Sequence, residues 1–130
     1  MNGEKKLPIL LKNMNPILNA GDFVFCQVQN LEGIDLSELV SFFREYDGIS
    51  IIVSKSYADL RKLNYSFVSS WITLKVHSSL DAVGFTAAFS KALADHGIGC
   101  NVVAAYYHDH LFISKTYSTK AIQILESLSK

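Results

Sequence analysis

The second half of the chain alternates strand-forming segments with helix signals, and this order constrains the fold more than any other feature. Residues 67–77, 100–107 and 111–113 are rich in β-branched and aromatic residues, which is typical of strands. Ser78 and Asp81 form a capping pattern after the first of these segments, so we expect a helix there. The second half therefore predicts strand, helix, strand, strand and a closing helix.

The ends of these two helices are also marked. The first helix is expected to run to about His96, with Gly97 as its left-handed terminator. The closing helix is predicted over residues 118–128. One face of it is apolar: Ala121, Ile122, Leu125 and Leu128.

The first half opens with a short helix and a strand. Pro8 suits the first turn of a helix and Pro16 stops it. The helical face consists of Leu7, Leu10, Leu11 and Met14. Residues 19–21 predict a turn, and residues 23–28 predict a strand.

Residues 39–46 are ambiguous. Asp35 and Glu38 resemble a capping box, which indicates a helix. The pair Asp47-Gly48 before an apolar run indicates a tight hairpin instead, and we favour the hairpin. Ser56 and Asp59 then form a capping pattern for a short helix, which is expected to end near Leu63 and to stop at Asn64.

Both halves follow a βαββαβ order, and each lacks a terminal strand. A chain of this kind is expected to be α+β, with antiparallel sheets and helices on one face. We predict two tandem subdomains, residues 1–69 and 70–130, with the boundary near Ser70.

Composition narrows the function classes. The chain has 130 residues, about half of them hydrophobic, and 12 basic residues balance 12 acidic ones. This neutral balance gives no electrostatic footprint for nucleic acid or an anionic membrane. Cys26 and Cys100 lie in apolar runs, so we expect two reduced core thiols. We find no signal peptide or membrane span, and expect a cytoplasmic protein.

The segment 71–113 resembles the ACT domain family. The resemblance rests on the strand 72–77, the loop 78–84, and the glycine-led entry 97–103 into the next strand. Over the whole chain, Phe23-Val24-Phe25 and the segment 108–112 resemble small, stand-alone tandem ACT proteins of bacteria. The resemblance implies a ferredoxin-like fold, a non-catalytic regulatory role, a ligand site at a domain or subunit interface, and a homo-oligomer, expected to be a dimer. His77 and Gly84 are 7 positions apart, so the loop is longer than in serine-sensing relatives or Gly84 lies inside the helix.

A small molecule, expected to be an amino acid, would bind at that loop. The helix N-terminus suits a carboxylate, Gly84 allows close approach, and Asp81 could pair with an ammonium. Asn101 can both donate and accept hydrogen bonds. The full candidate set is His77, Ser78, Ser79, Asp81, Val83, Gly84 and Asn101. Each also has a plain structural interpretation, such as a helix cap for Ser78 and Asp81 or a packing role for Gly84.

Other functions have weaker support. His108 and His110 have the spacing of two metal ligands, but zinc sites take three or four, so we favour a structural turn in which Asp109 orients a histidine. We find no catalytic motif and expect neither an enzyme nor a cofactor. RNA binding would require basic residues on the 100–107 strand, which has none. The main alternative is a homo-oligomeric interaction protein without a ligand.

Overall fold

The computed structural model describes residues 3–130, which form two compact units. Unit 1 combines the described residues up to Ala20 with Ser70–Lys130, and unit 2 is Gly21–Ser69. The strands are β1 Pro16–Leu18, β2 Phe23–Val28, β3 Leu39–Glu45, β4 Gly48–Ser54, β5 Val68–Leu74, β6 Asn101–Ala104 and β7 Asp109–Ser114. The helices are α1 Leu7–Lys12, α2 Lys55–Leu60, α3 Phe85–Ala94 and α4 Ser118–Ser127.

Unit 1 has the strand order β1-β5-β7-β6. Its order along the chain is β5, α3, β6, β7, α4, and β1 supplies the strand that the second half lacks. Ile17 of β1 pairs antiparallel with Thr73 of β5, and Val102 of β6 pairs with Leu111 of β7. The predicted α+β, ferredoxin-like class with antiparallel strands is confirmed.

The core of unit 1 lies between this sheet and helices α1, α3 and α4. Its buried members are Leu10, Met14, Ile72, Leu74, Phe85, Phe89, Leu93, Ile98, Leu111, Ile113, Ala121, Ile124 and Leu125. Ile72 and Leu74 face this core, so Trp71 and Thr73 lie on the opposite face of β5, because side chains alternate along a strand.

Unit 2 repeats the arrangement with a shorter first helix. Its strand order is β3-β4-β2, and β2 also pairs with the first two residues of β5, Val68 and Ser69. The core consists of Val24, Cys26, Ile51, Val53, Tyr57 and Ala58. The two subdomains predicted from the sequence, residues 1–69 and 70–130, remain a prediction.

The hairpin prediction for residues 39–53 is confirmed, because β3 and β4 pair antiparallel across Asp47-Gly48. A single 3-10 turn, Leu36–Glu38, precedes β3, and the Asp35 side chain accepts a hydrogen bond from the backbone N–H of Ser37. Gly48 has φ 144°, and an added Cβ would lie 2.8 Å from the carbonyl oxygen of Val28, so this turn requires glycine.

The predicted starts of helices α2 and α3 are both wrong. Helix α2 is capped by Ser54, whose hydroxyl accepts from the N–H of Tyr57 at 3.1 Å, and not by Ser56. It ends at Leu60, and Lys62 takes the left-handed conformation at φ 58°, so the helix stops before the predicted Asn64. Helix α3 begins at Phe85, and Gly97 has the predicted left-handed conformation at φ 74°.

The strand at residues 100–107 differs from its prediction. It is shorter, spanning Asn101–Ala104, and its side chains are exposed or half-buried because it lies at the edge of the unit 1 sheet. The apolar residues of this segment therefore do not form a buried strand. Cys26 is buried and Cys100 half-buried, and both are free thiols. Burial raises the pKa of the Cys100 thiol to about 11, so it stays protonated at neutral pH.

Candidate functional site

The candidate loop follows β5 in unit 1. Hydrogen bonds from the N–H groups of Lys75 and Val76 to the carbonyl oxygens of Asn15 and Met14 hold the end of this strand. The chain then turns at Ser79, whose hydroxyl accepts from the N–H of Asp81 at 3.2 Å. The Ser79 carbonyl accepts from the N–H of Ala82 at 3.0 Å. Some of the backbone N–H groups of the loop are therefore hydrogen-bonded within the loop itself.

The N-terminal segment lies against the start of this loop. Glu4 donates from its N–H to the His77 carbonyl at 2.9 Å, and the Ser79 N–H donates to the Glu4 carbonyl at 2.9 Å. An added Cβ on Gly3 would lie 2.6 Å from the Ser78 carbonyl carbon and the Ser79 nitrogen. The contact therefore requires glycine at position 3, and the sequence alone gave no signal for it.

A cavity of about 270 Å³ opens beside this contact. Four predicted residues border it: His77, Ser78, Ser79 and Asp81. Gly3, Leu80 and Tyr106 complete the lining. Leu80 lies within the predicted 78–84 loop, whereas sequence reasoning missed Gly3 and Tyr106. The Asp81 side chain is 83% exposed and lies 3.9 Å from Lys5 Nζ, so this ion pair is a weak surface contact.

The other three predicted residues do not line this cavity. Gly84 is the N-cap of α3 with φ 92°, so it precedes the helix, and the loop is the longer form of the two alternatives. Val83 is 84% exposed. Asn101 begins β6, where its side-chain amide donates to the Phe112 carbonyl at 3.1 Å.

Ser78 does not cap α3, because the helix begins seven residues later, after its N-cap Gly84. The Ser78 hydroxyl donates to Asp109 Oδ2 at 3.3 Å, at the start of β7. Asp109 is only 8% exposed. Burial raises the pKa of its carboxyl, and the Ser78 hydrogen bond partly opposes that shift. The expectation that Asp109 orients a histidine is replaced by this bond to Ser78.

A second, smaller cavity of about 80 Å³ lies at Asp109 and the first turn of α3. It is lined by Ser78, Ser79, Leu80, Ala82, Phe85, Thr86, Ala104 and Asp109. The first three residues border both cavities. The predicted 78–84 loop supplies half of this lining, whereas the sequence analysis did not place Asp109, the first residue of β7, at the site.

Aromatic and imidazole rings extend from the loop along the neighbouring hairpin. The His77 ring packs edge-on against Tyr107 with centroids 5.1 Å apart, and the His108 and His110 rings lie 6.5 Å apart. His110 Nδ1 accepts a 2.9 Å hydrogen bond from Trp71 Nε1. Desolvation lowers the pKa of His110, and the charge of His108 adds to this effect.

Among residues 3–130, no group of three or more His, Cys, Asp or Glu side chains is placed to hold a metal ion. No helix in the same range is long and apolar enough to cross a membrane.

Two family models match the chain. Both are described as ACT domain, and they match residues 2–70 and 66–127. The fold and these matches define a small regulatory module of the kind that binds small molecules. The chain belongs to the ACT domain family.

Solved structures agree with this assignment. VC0802 of Vibrio cholerae, described as a protein of unknown function and possible transport protein, is 43% identical, with TM-score 0.83, and the match covers 97% of this chain and 98% of that one. Atu0741 of Agrobacterium tumefaciens is 21% identical, with TM-score 0.66 and coverage of 88% and 87%. The aspartate kinase regulatory subunit of Thermus flavus shares the fold at 10% identity, with TM-score 0.62 and coverage of 88% and 97%. No curated protein matches.

Proposed function

We propose that this chain is a non-catalytic regulatory module that binds an amino acid at the 77–84 loop of unit 1. The observation that supports this most directly is the cavity of about 270 Å³ at which His77, Ser78, Ser79 and Asp81 meet. Pockets for drug-sized ligands span about 300–1,000 Å³, so this volume suits a smaller metabolite. Membership of the ACT domain family supports the regulatory role.

The chemistry of the lining favours a ligand with polar and charged groups. An imidazole, two hydroxyl groups and a carboxylate surround the cavity, whereas Leu80 and Tyr106 offer apolar surface for a side chain. The N–H groups of Ser79, Asp81 and Ala82 are already bonded within the protein. Recognition in this cavity therefore depends on the side chains that line it.

A thermal-shift screen tests this function. The purified chain would be melted with each of the twenty amino acids at millimolar concentration. A ligand at a hundredfold excess over its Kd adds about 2.7 kcal/mol of stability, so a selective rise in Tm is expected. A flat screen would contradict the amino-acid proposal.

A matched pair of variants localises the site. Asp81 borders the cavity, whereas Asp95 is an exposed aspartate that pairs with Lys91 on α3. Asp81→Asn is expected to weaken binding several-fold, and Asp95→Asn is expected to leave it unchanged. Equal affinities of both variants would move the site away from this loop.

The second candidate function is self-association through the edge of unit 2. Strand β3 is the outer strand of that sheet, and Phe42 and Phe43 on it are 48% and 71% exposed. Exposed apolar edge strands pair readily with other strands. We propose a homodimer formed by this edge, and Phe43→Lys is expected to yield monomers in analytical ultracentrifugation. A wild-type chain that is monomeric at all concentrations would reject it.

A further inference from the structure

The buried carboxylate of Asp109 stands out in unit 1 because Ser78 gives it one long hydrogen bond, and the charges that favour its ionised form come from the neighbouring His108 and His110 and do not outweigh its burial. Asp109 is 8% exposed, and its hydrogen bond from Ser78 is 3.3 Å long. Hydrogen bonds from hydroxyl groups to carboxylates are usually about 2.5–2.7 Å. None of the ion pairs among residues 3–130 includes Asp109.

A buried carboxylate is costly unless a cation or several donors compensate it. Asp109 faces the 80 Å³ cavity, and it is the one ionisable side chain among the described residues that line this cavity. One water needs about 10–15 Å³ of such volume, so the cavity has room for a group of several heavy atoms. A positively charged group of that size would compensate the carboxylate.

The opposite wall of the same cavity offers donors. Phe85 and Thr86 line it, and they form the first turn of α3, whose N-cap Gly84 supplies no side-chain acceptor. The free N–H groups of a helix start favour an anion. A carboxylate and a helix start that face one small cavity match the two charges of a zwitterion.

We propose that Asp109 binds the ammonium group of the ligand, in the small cavity that it shares with Ser78, Phe85 and Thr86. This deepens the proposed amino-acid function and rests on it. The proposed site selects primary ammonium compounds, because an acylated nitrogen carries no positive charge to pair with Asp109. Exposed Asp81, at the larger cavity, then has a secondary role.

The test uses titration calorimetry at pH 7.5 with the amino acid that gives the largest thermal shift. Asp109→Asn keeps an acceptor for Ser78 and removes the charge, and it is expected to weaken binding at least tenfold, more than Asp81→Asn. Asp95→Asn serves as the control with unchanged affinity.

A ligand comparison gives a second measurement that needs no variant. The N-acetyl derivative and the 2-hydroxy acid with the same side chain both lack the ammonium, and the wild-type chain is expected to bind neither with measurable affinity. Full affinity for the N-acetyl derivative would overturn the proposal.

The outcomes distinguish the role of Asp109 from the amino-acid-binding function on which it rests. Wild-type affinity in Asp109→Asn would overturn the role of Asp109 and leave the amino-acid function standing. A wild-type chain that binds no amino acid would overturn both.

Discussion

Trp71 Nε1 lies 2.9 Å from His110 Nδ1 and donates a hydrogen bond to it, which places the proton of the neutral imidazole on Nε2. Thr73 Oγ1 lies 3.1 Å from the same nitrogen, and Asn19 donates to that hydroxyl at 2.9 Å, so the hydroxyl proton is directed at His110. Protonation of Nδ1 would remove the hydrogen bond from Trp71, because the indole N–H can only donate, and would require Thr73 Oγ1 to become the acceptor.

We therefore expect His110 to make unit 1 less stable in acid. Its folded pKa is lowered below the usual value of about 6.5, so the unfolded chain binds the proton first as pH falls. The contribution is complete above the unfolded pKa and is lost as pH falls from there through the lowered folded value. Urea unfolding between pH 7.5 and 4.5 measures this loss.

The control for this prediction is His110→Asn, whose side-chain oxygen can accept from Trp71 without titrating. The difference in stability between the two proteins should shrink or reverse in acid. A pH-independent difference would mean that the imidazole does not titrate in this range.

Asp109→Asn is expected to stabilise the ligand-free protein at neutral pH. Burial raises the folded pKa of Asp109, so the folded chain binds the proton more tightly and stability falls as pH rises from about 4 through that raised value. Asparagine removes this loss. Denaturation of both proteins at pH 7.5 and pH 4 should show an advantage for the variant only at the higher pH, and a destabilised variant at pH 7.5 would refute it.

Gly3→Ala should release the N-terminal segment from the candidate loop. Its Cβ would clash with the backbone of Ser78 and Ser79, so the hydrogen bonds between Glu4 and residues 77 and 79 should break. Two such bonds contribute about 1–3 kcal/mol together. Faster amide hydrogen exchange at Glu4 and Ser79 would report the release.

Gly99→Ala is the matched control, because a Cβ there has no heavy atom within 4 Å and Gly99 has no positive φ. It should leave the exchange rates at Glu4 and Ser79 unchanged. Equal protection in Gly3→Ala and wild type would show that the clash is relieved without loss of the contact.

Ser54→Ala should cost about 0.5–2 kcal/mol of stability, because it removes the side-chain acceptor for the first turn of α2. Ser56→Ala should change stability by less than about 0.5 kcal/mol, since Ser56 lies inside the helix on an exposed surface. Chemical denaturation of both variants compares them. Equal losses would remove Ser54 as the cap.

Strands were the part of the fold that the sequence predicted well, because their signals are local. Strand β2 and the β3–β4 hairpin follow from runs of strand-forming residues and one Asp-Gly turn. Strand β1 was missed: it has three residues, begins with Pro16, and exists because it pairs with β5. No local pattern carries that information.

The part of the site that was predicted also consists of residues that are close together in the sequence. His77, Ser78, Ser79 and Asp81 are consecutive or nearly so, and the loop brings them to one cavity. Gly3 and Asp109 reach the loop only through tertiary contacts. Ser78 and Asp81 resembled a helix cap in sequence, but α3 begins only at Phe85, and the hydrogen-bond partner of Ser78, Asp109, is distant in sequence.

The placement of β1 has a consequence for synthesis of the chain on the ribosome. Residues 16–18 emerge first, yet their partners in β5 emerge only after all of unit 2 has been made. Unit 2 can therefore complete its own core before the β5 residues that pair with β1 have been synthesised. A fragment that begins at residue 70 would lack β1 and would leave one edge of the unit 1 sheet unpaired. No single cut in the gene therefore yields both units intact.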